Sequence, residues 1–434
     1  MTSEAREEIR KHLSQIAASR TQEFIPGKTT INYAGATYDS NEMIAFVDSF
    51  LDGWFGIGRS ADCFEQELAK AITAKTAVLT NSGSSANLLA VAALCSPHYH
   101  NRLKQGDELI TTAMAFPTTV NPAILYGLTP VFVDAMPGTY NPNIEDIKSA
   151  ITPRTKAIML AHTLGNPNEM DKLMKLADDN NLVVIEDCCD ALGSTYDGKH
   201  TGSFGVMSTY SFYVAHHITM GEGGAVACNS RILDGIIRSL REWGRSCVCK
   251  WDEESPNGHC GKRFAHKVDG VTYDHRYTYS HIGYNLKPLE FQAAFGVKQL
   301  ERLPFITRRR KENFTAFNNG LKQYADVFIL PKTLPKSDPS WFGYPLTVKD
   351  DAPFTRGEIM QHLAEKLIQT RVLFAGNITR HKPYKDINRR IIGDLEGADH
   401  IMRGSFFLGC YPGITTDMIT YILKTITEFM EEKT

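Results

Sequence analysis

An α/β fold, with a mostly parallel sheet in a large domain and a smaller α+β C-terminal domain, is the class this chain predicts. Three observations carry that expectation. Short β-rich runs alternate with helix-length patterns from residue 76 onward, the pattern changes after Leu300, and 434 residues exceed the ~150 of an average domain severalfold. The runs are Ala77–Thr80, Glu108–Thr112, Val131–Val133, Ala157–Ala161 and Leu182–Ile185, then Thr209–Tyr213 and Gly224–Cys228. Between them, Asn143–Ala150 and Met170–Asn180 have the length and polarity of crossover helices, so the runs read as βαβ units on a sheet covered on both faces. Ile232–Trp243 reads as a further helix, and Cys247–Tyr279 follows as a long segment without clear periodicity. A loop of that length inside a compact domain is usually functional. After Leu300 come a long charged helix, Leu303–Tyr324, a strand, Phe342–Val348, and a helix, Thr355–Leu367. The expected division is a helical arm (1–30), a large domain (31–300) with a Cys-rich loop (247–279), and a small domain (301–434).

Composition narrows the function classes. Lys plus Arg (47) nearly cancels Asp plus Glu (49), so no global field favours nucleic acid or an anionic membrane, and any anionic ligand must be met locally. The start, Met1-Thr-Ser-Glu-Ala-Arg-Glu-Glu, is charged and unlike a signal or transit peptide, and apolar runs such as Leu88–Cys95 fall short of the ~18 residues of a membrane span, so a cytoplasmic location is expected. Nine cysteines, an odd number, argue against a disulfide framework. Clusters such as Cys188-Cys189 and Cys247-Val-Cys249 point instead to metal binding or catalysis, whereas solitary ones such as Cys95 read as small buried hydrophobes.

Three segments carry chemistry. Thr80-Asn-Ser-Gly-Ser-Ser-Ala-Asn87 joins a strand to an apolar helix, where small residues let backbone N–H groups and the helix dipole meet an anion. On this segment alone a phosphate cradle and a plain serine cap read equally well. No Gly-x-x-x-x-Gly-Lys followed by Ser or Thr, and no strand-borne Gly-x-Gly-x-x-Gly, is present, which weakens ATP or dinucleotide readings. In Val183-Val-Ile-Glu-Asp-Cys-Cys-Asp190 a buried-type strand runs into carboxylates, placing Asp187 at the carboxyl end of a strand, where ligands of open α/β sheets bind. There it could hold a heteroaromatic nitrogen protonated, or simply cap the next helix. In Ser211-Phe-Tyr-Val-Ala-His-His-Ile-Thr-Met-Gly-Glu-Gly-Gly224, paired imidazoles suited to proton transfer lie between a strand and a Gly-rich turn.

Together these strings, with Gly283-Tyr-Asn285, resemble the fold-type-I PLP-dependent transferases, in the branch of nucleotide-sugar aminotransferases and dehydratases. The resemblance implies a seven-stranded-type sheet. The lysine of that branch's motif, six residues before Glu222, is His216 here. Members with histidine cannot bind the cofactor covalently there and resemble 3-dehydratases that use pyridoxamine 5'-phosphate. The likeness is strongest to the iron–sulfur group of those dehydratases, running from Leu51-Asp-Gly-Trp through Ile185–Gly198, Ala215–Val226 and Tyr277–Lys287 to Leu373-Phe-Ala-Gly-Asn377.

What the resemblance implies is specific. Gly83, Ser84 and Ser211 would hold the cofactor phosphate, joined by Asn285 from a neighbouring subunit, and a homodimer would follow. Phe116 would stack on the pyridine ring, although a core aromatic reads as well, Asp187 would pair with its nitrogen, and His216 would be catalytic. A [2Fe–2S] cluster would rest on Cys189, Cys247, Cys249 and Cys260. Fifty-seven residues separate Cys189 from Cys247, as that group's pattern has it, whereas ten residues, Lys250 to His259, precede Cys260 where the pattern has seven, which leaves His259 as an alternative donor. Spacing alone suits zinc as well as iron–sulfur. Electrons would come from an NAD(P)H-dependent iron–sulfur flavoprotein reductase, and the substrate would be a nucleotide-linked, CDP-type 4-keto-6-deoxyhexose. Arg371 and Arg403 are candidates for its diphosphate or sugar. Rival expectations are a cluster-free dehydratase of the same branch, an ordinary lysine-type aminotransferase, and a non-catalytic nucleotide-sugar-binding protein.

Overall fold

A computed structural model describes residues 2–20, 23–247 and 263–433. Its main sheet has eight strands in the order Thr76–Thr80, Gly224–Cys228, Met207–Ser211, Val183–Asp187, Thr155–Ala161, Glu108–Thr112, Thr129–Val133 and Arg390–Ile391. Gly224–Cys228 runs antiparallel to both neighbours, and the other pairs are parallel. The seven expected runs are all there. The eighth, two-residue strand returns from far down the chain to pair Arg390 with Val131, a contact that no local pattern announces.

The strands are apolar on both faces because both are covered. The helix Gly83–Cys95 is buried along most of its length, which is why its sequence lacks a polar stripe. Thr76–Thr80, Val183–Asp187 and Met207–Ser211 are buried except for a terminal residue.

Residues after 300 build a second, antiparallel sheet in the order Phe328–Ile329, Gly343–Val348, Ser405–Gly409 and Thr370–Val372. Helices Leu303–Leu321, Arg356–Glu365, Glu396–Gly404 and Thr416–Lys433 accompany it. The largest apolar cluster joins this sheet to the main one, since Phe406, Phe407 and Trp341 pack in the same core as Met114, Phe132 and Tyr140. The site described below lies along that seam.

The N-terminal helix, Ser3–Ala18, has no buried residue. Arg6–Asp52 (2.6 Å) and Arg10–Asp48 (2.8 Å) tie it to the region of Ser40–Leu51. Within the Cys-rich segment, the described part contains a hairpin, His266–Val268 with Val271–Tyr273, all six residues exposed. Asp269 and Gly270 turn it at φ 46° and 82°, the positive values a two-residue hairpin needs. The expectation of an aperiodic segment overlooked this Asp-Gly signal.

Candidate active site

The carboxyl ends of the main strands open into a cavity of about 300 Å³ lined by Gly83, Ser84, Phe116, Asp187, Cys189, Ser211 and His216, and closed on the other side by Tyr33, Phe342, Arg371 and Phe374. Residues from the three chemical segments therefore meet in one place. Ser82 caps the helix Gly83–Cys95 by accepting from Ser85 N–H at 3.1 Å. The serine cap and the cradle coexist, because the capping side chain is Ser82 while Gly83 and Ser84 line the cavity. Gly83 is required there by space: a Cβ at this position would stand 2.5 Å from Ser211 Cβ.

Asp187 ends its strand at the cavity floor and is 5% exposed. Its Oδ2 accepts from Asn87 Nδ2 (3.0 Å) and Thr119 Oγ1 (2.8 Å), and its Oδ1 accepts from Cys189 N–H (3.1 Å). Thr209 Oγ1 in turn donates to Asn87 Oδ1 at 2.6 Å and fixes the amide's orientation. Three donors fix the carboxyl group at a strand end, the arrangement that would hold it against a ring nitrogen. Asn87 and Thr119 were missed as site residues; a buried amide inside an otherwise apolar helix was the available signal.

Of the paired imidazoles, only His216 lines the cavity. His217 is buried, with Nε2 2.7 Å from Ser340 O. His216 Nδ1 lies 3.5 Å from Asp190 Oδ1. Burial, and then the charge of Arg310, push His216 down to about 3, so it is a neutral proton acceptor at physiological pH. Burial, reinforced by Asp187, pushes Asp190 up to about 7. Phe116 is half exposed and stands edge-on to Phe374 at 6.0 Å, which removes the core-aromatic alternative and leaves it facing the cavity.

The remaining candidates divide. Arg371 lines the cavity, with its guanidinium 4.1 Å over the Tyr33 ring and Nη1 donating to Thr370 O. Arg403 does not: it sits on the surface, 3.8 Å from Asp350, because the helix Glu396–Gly404 turns that side chain outward. Asn285 is exposed, bridges backbone to Glu242 and does not line this cavity. Cys189 lines the cavity and Cys247 is half-buried, whereas Cys249, Cys260 and the alternative donor His259 lie outside the described residues. Burial and the charge of Asp187 push the Cys189 thiol well up, so a thiolate there needs a cation beside it.

A different trio among the described residues, His162, Glu186 and Cys188, brings potential ligand atoms within 4.8 Å of one another. The lone pairs of Glu186 and of the His162 ring are spent. Glu186 accepts from the backbone N–H of Gly202, Phe204 and Gly205, and His162 Nδ1 accepts from Asn168 N–H, which leaves Nε2–H to donate to Glu186 at 3.0 Å. This cluster is a structural brace behind the sheet.

Comparison with known proteins matches residues 37–427 to the DegT/DnrJ/EryC1/StrS aminotransferase family. The chain is 46% identical to the lipopolysaccharide biosynthesis protein RfbH of Salmonella typhimurium, covering 97% of this chain and 98% of that one. It is also 46% identical to dTDP-4-dehydro-2,6-dideoxy-D-glucose 3-dehydratase of Saccharopolyspora spinosa, over 94% of this chain and 88% of the relative. Identity to GDP-4-keto-6-deoxy-D-mannose 3-dehydratase of Yersinia pseudotuberculosis is 33%, over 88% and 95%. Among solved structures, a GDP-4-keto-6-deoxymannose 3-dehydratase with bound GDP-perosamine superposes with a TM-score of 0.82 at 29% identity, over 91% of this chain and all of that one. The Escherichia coli GDP-4-keto-6-deoxy-D-mannose 3-dehydratase with bound hydrated PLP gives 0.81 at 30% identity, over 92% of this chain and all of that one. The fold is thus that of the PLP-dependent transferases, and the chain belongs to the DegT/DnrJ/EryC1/StrS aminotransferase family.

Proposed function

We propose that this chain is a pyridoxamine-phosphate-dependent 3-dehydrase of nucleotide-linked 4-keto-6-deoxyhexoses, acting in deoxysugar biosynthesis of the kind that serves lipopolysaccharide. One observation carries the reading: the motif position that holds lysine in aminotransferases is His216, it lines the same cavity as Asp187, and among the described residues no lysine lines that cavity. Relatives named as 3-dehydratases support it.

The cavity fits the cofactor. Gly83, Ser84 and Ser211 would bind its phosphate, Phe116 would stack on its ring, and Asp187, fixed by Asn87 and Thr119, would hold the ring nitrogen protonated. Bound pyridoxamine phosphate supplies an amine for the 4-keto group and a ring that accepts electrons. His216, neutral and unable to form a lasting covalent link, moves a proton at the methylene carbon. Arg371 faces the sugar diphosphate. The net change replaces the C3 hydroxyl by hydrogen, takes in two electrons and two protons, and releases water.

The finer reading makes the substrate CDP-4-keto-6-deoxy-D-glucose and the activity that of a CDP-6-deoxy-L-threo-D-glycero-4-hexulose 3-dehydrase, yielding a 4-keto-3,6-dideoxy sugar. In it Cys189, Cys247, Cys249 and Cys260 would hold a [2Fe–2S] cluster, which would supply one-electron chemistry fed by an NAD(P)H-dependent flavoprotein reductase, and a second subunit would contribute Asn285. The resemblance to the iron–sulfur dehydratases and the cavity position of Cys189 support that reading. The alternative is a cluster-free dehydratase acting on a GDP-linked sugar, the kind of substrate in the Yersinia relative's name.

The test incubates the protein with pyridoxamine phosphate, NADH, a reductase and a panel of CDP-, dTDP- and GDP-linked 4-keto-6-deoxyhexoses. C3 deoxygenation without ammonia release is expected. Ammonia release with no iron–sulfur absorption after anaerobic reconstitution assigns the cluster-free reaction, and pyridoxal phosphate fixed to a lysine by borohydride overturns the dehydrase reading altogether.

A further inference from the structure

Behind the cavity lies a cation that the proposed chemistry does not use. Arg310, on the helix Leu303–Leu321, is 1% exposed. Its Nη1 donates to the carbonyls of Trp341 (3.1 Å) and Phe342 (2.9 Å), and its Nη2 donates to the carbonyl of His216 (3.3 Å). Among the described residues no carboxylate stands within ion-pair distance of it, although the charge of Asp190 attracts it, and its Nε has no hydrogen-bond partner. A buried guanidinium caged by carbonyls is expensive, and an apolar side chain of similar volume would fill the space at lower cost. Packing alone therefore does not account for an arginine here.

Its hydrogen bonds point to another role. We propose that Arg310 is a positioning residue for His216, fastening the loop that carries the imidazole to the segment Ser340–Phe342 at the rim of the antiparallel sheet. That segment receives the loop three times. Arg310 bridges the His216 carbonyl to Trp341 and Phe342, the neighbouring His217 Nε2 meets Ser340 O, and the His216 ring packs against Phe342 with centroids 5.3 Å apart. The backbone that carries the imidazole cannot shift without breaking this joint. The groups facing His216 are Asp190 at 3.5 Å, the Tyr213 ring at 6.5 Å, His217 and Arg310 itself. Arg310 is the cation among them, and its charge adds to burial in holding the ring neutral. This inference rests on the reading of His216 as the group that moves the proton.

The test compares R310K, which keeps the charge but loses the planar fork, with R310M, which keeps the volume and loses both. Two quantities are read in each: affinity for pyridoxal phosphate, from its absorption, and release of tritium from the methylene carbon of labelled pyridoxamine phosphate in the presence of the nucleotide sugar. Misplacing a reacting group by about 1 Å costs on the order of 100-fold, so tritium release is expected to fall about 10- to 100-fold in both variants while the cofactor Kd changes less than about threefold. Release within about twofold of the parent in a folded variant overturns the proposal. So does a parallel loss of rate and cofactor affinity, and so does failure of both variants to fold, which would leave Arg310 a packing residue. H216N is run alongside. If it retains full tritium release, the reading of His216 itself fails; if it loses release while R310K and R310M do not, only the role of Arg310 fails.

Discussion

Replacing Gly83 with alanine probes the phosphate cradle at one atom. The added Cβ would stand 2.5 Å from Ser211 Cβ, 2.9 Å from Ser211 Oγ and 3.1 Å from Cys189 Sγ, whereas non-bonded carbons rest at roughly 3.5–4.0 Å. Closing that deficit of roughly 1 Å moves either the helix N-terminus or the strand end, and so separates two groups assigned to the same phosphate. Overpacking of this kind costs about 1–3 kcal/mol. At about 1.4 kcal/mol per tenfold, cofactor affinity falls by about 5- to 150-fold. The assay is an absorption titration of apoprotein with pyridoxal phosphate. Gly235, inside the helix Arg231–Arg241, serves as the control because an added Cβ meets nothing within 4 Å. G235A is expected to bind cofactor normally and to gain about 0.5–1 kcal/mol of stability from helix propensity. A G83A protein that binds cofactor within about twofold of the parent would refute the cradle, since nothing would then need the space its Cβ occupies.

Three further outcomes follow from the same geometry. Asn87→Ala leaves Asp187 and the buried Thr209 hydroxyl each short of a partner, so unfolding in urea should show a loss of about 1–3 kcal/mol together with weaker cofactor binding; unchanged binding would separate the amide from the site. Glu290→Ala removes the acceptor for the N–H groups of Gly58 (2.7 Å), Ser60 (2.5 Å) and Ala61 (3.3 Å) and should cost about 2–3 kcal/mol in the same assay, an unchanged midpoint being the contrary result. His217 is held well below the ordinary histidine range, chiefly by burial and then by Arg310. Its stabilising contribution is therefore present above the unfolded value of about 6.5 and is lost as pH falls below it. H217Q should flatten the fall of Tm between pH 7 and pH 5, and a slope equal to the parent's would count against a buried neutral ring.

Much of this protein is legible along the chain, and the reason is that its main sheet is covered on both faces. Continuous apolar runs such as Ala157–Ala161 and Leu182–Ile185 need only local β propensity and crossover helices to become adjacent parallel strands. The Ser-rich turn, the strand-ending Asp187 and the His216 position are equally local, because strand ends and helix starts are set by neighbours in sequence. Tertiary structure decided the rest. It separated His216 from His217, since one faces the cavity and the other meets Ser340, more than a hundred residues away. It kept Arg371 at the cavity and sent Arg403 to the surface. It also capped the helix Arg59–Ala71, whose own Gly58 offers no side chain, with Glu290 from the far side of the main sheet's sequence. Arg310 is the plainest case: as a residue in a charged helix it reads as solvated, and only the packing of the two sheets encloses its guanidinium and turns it onto three carbonyls. Periodicity records which face of an element is apolar, whereas the partner of a polar atom depends on the three-dimensional path of the whole chain.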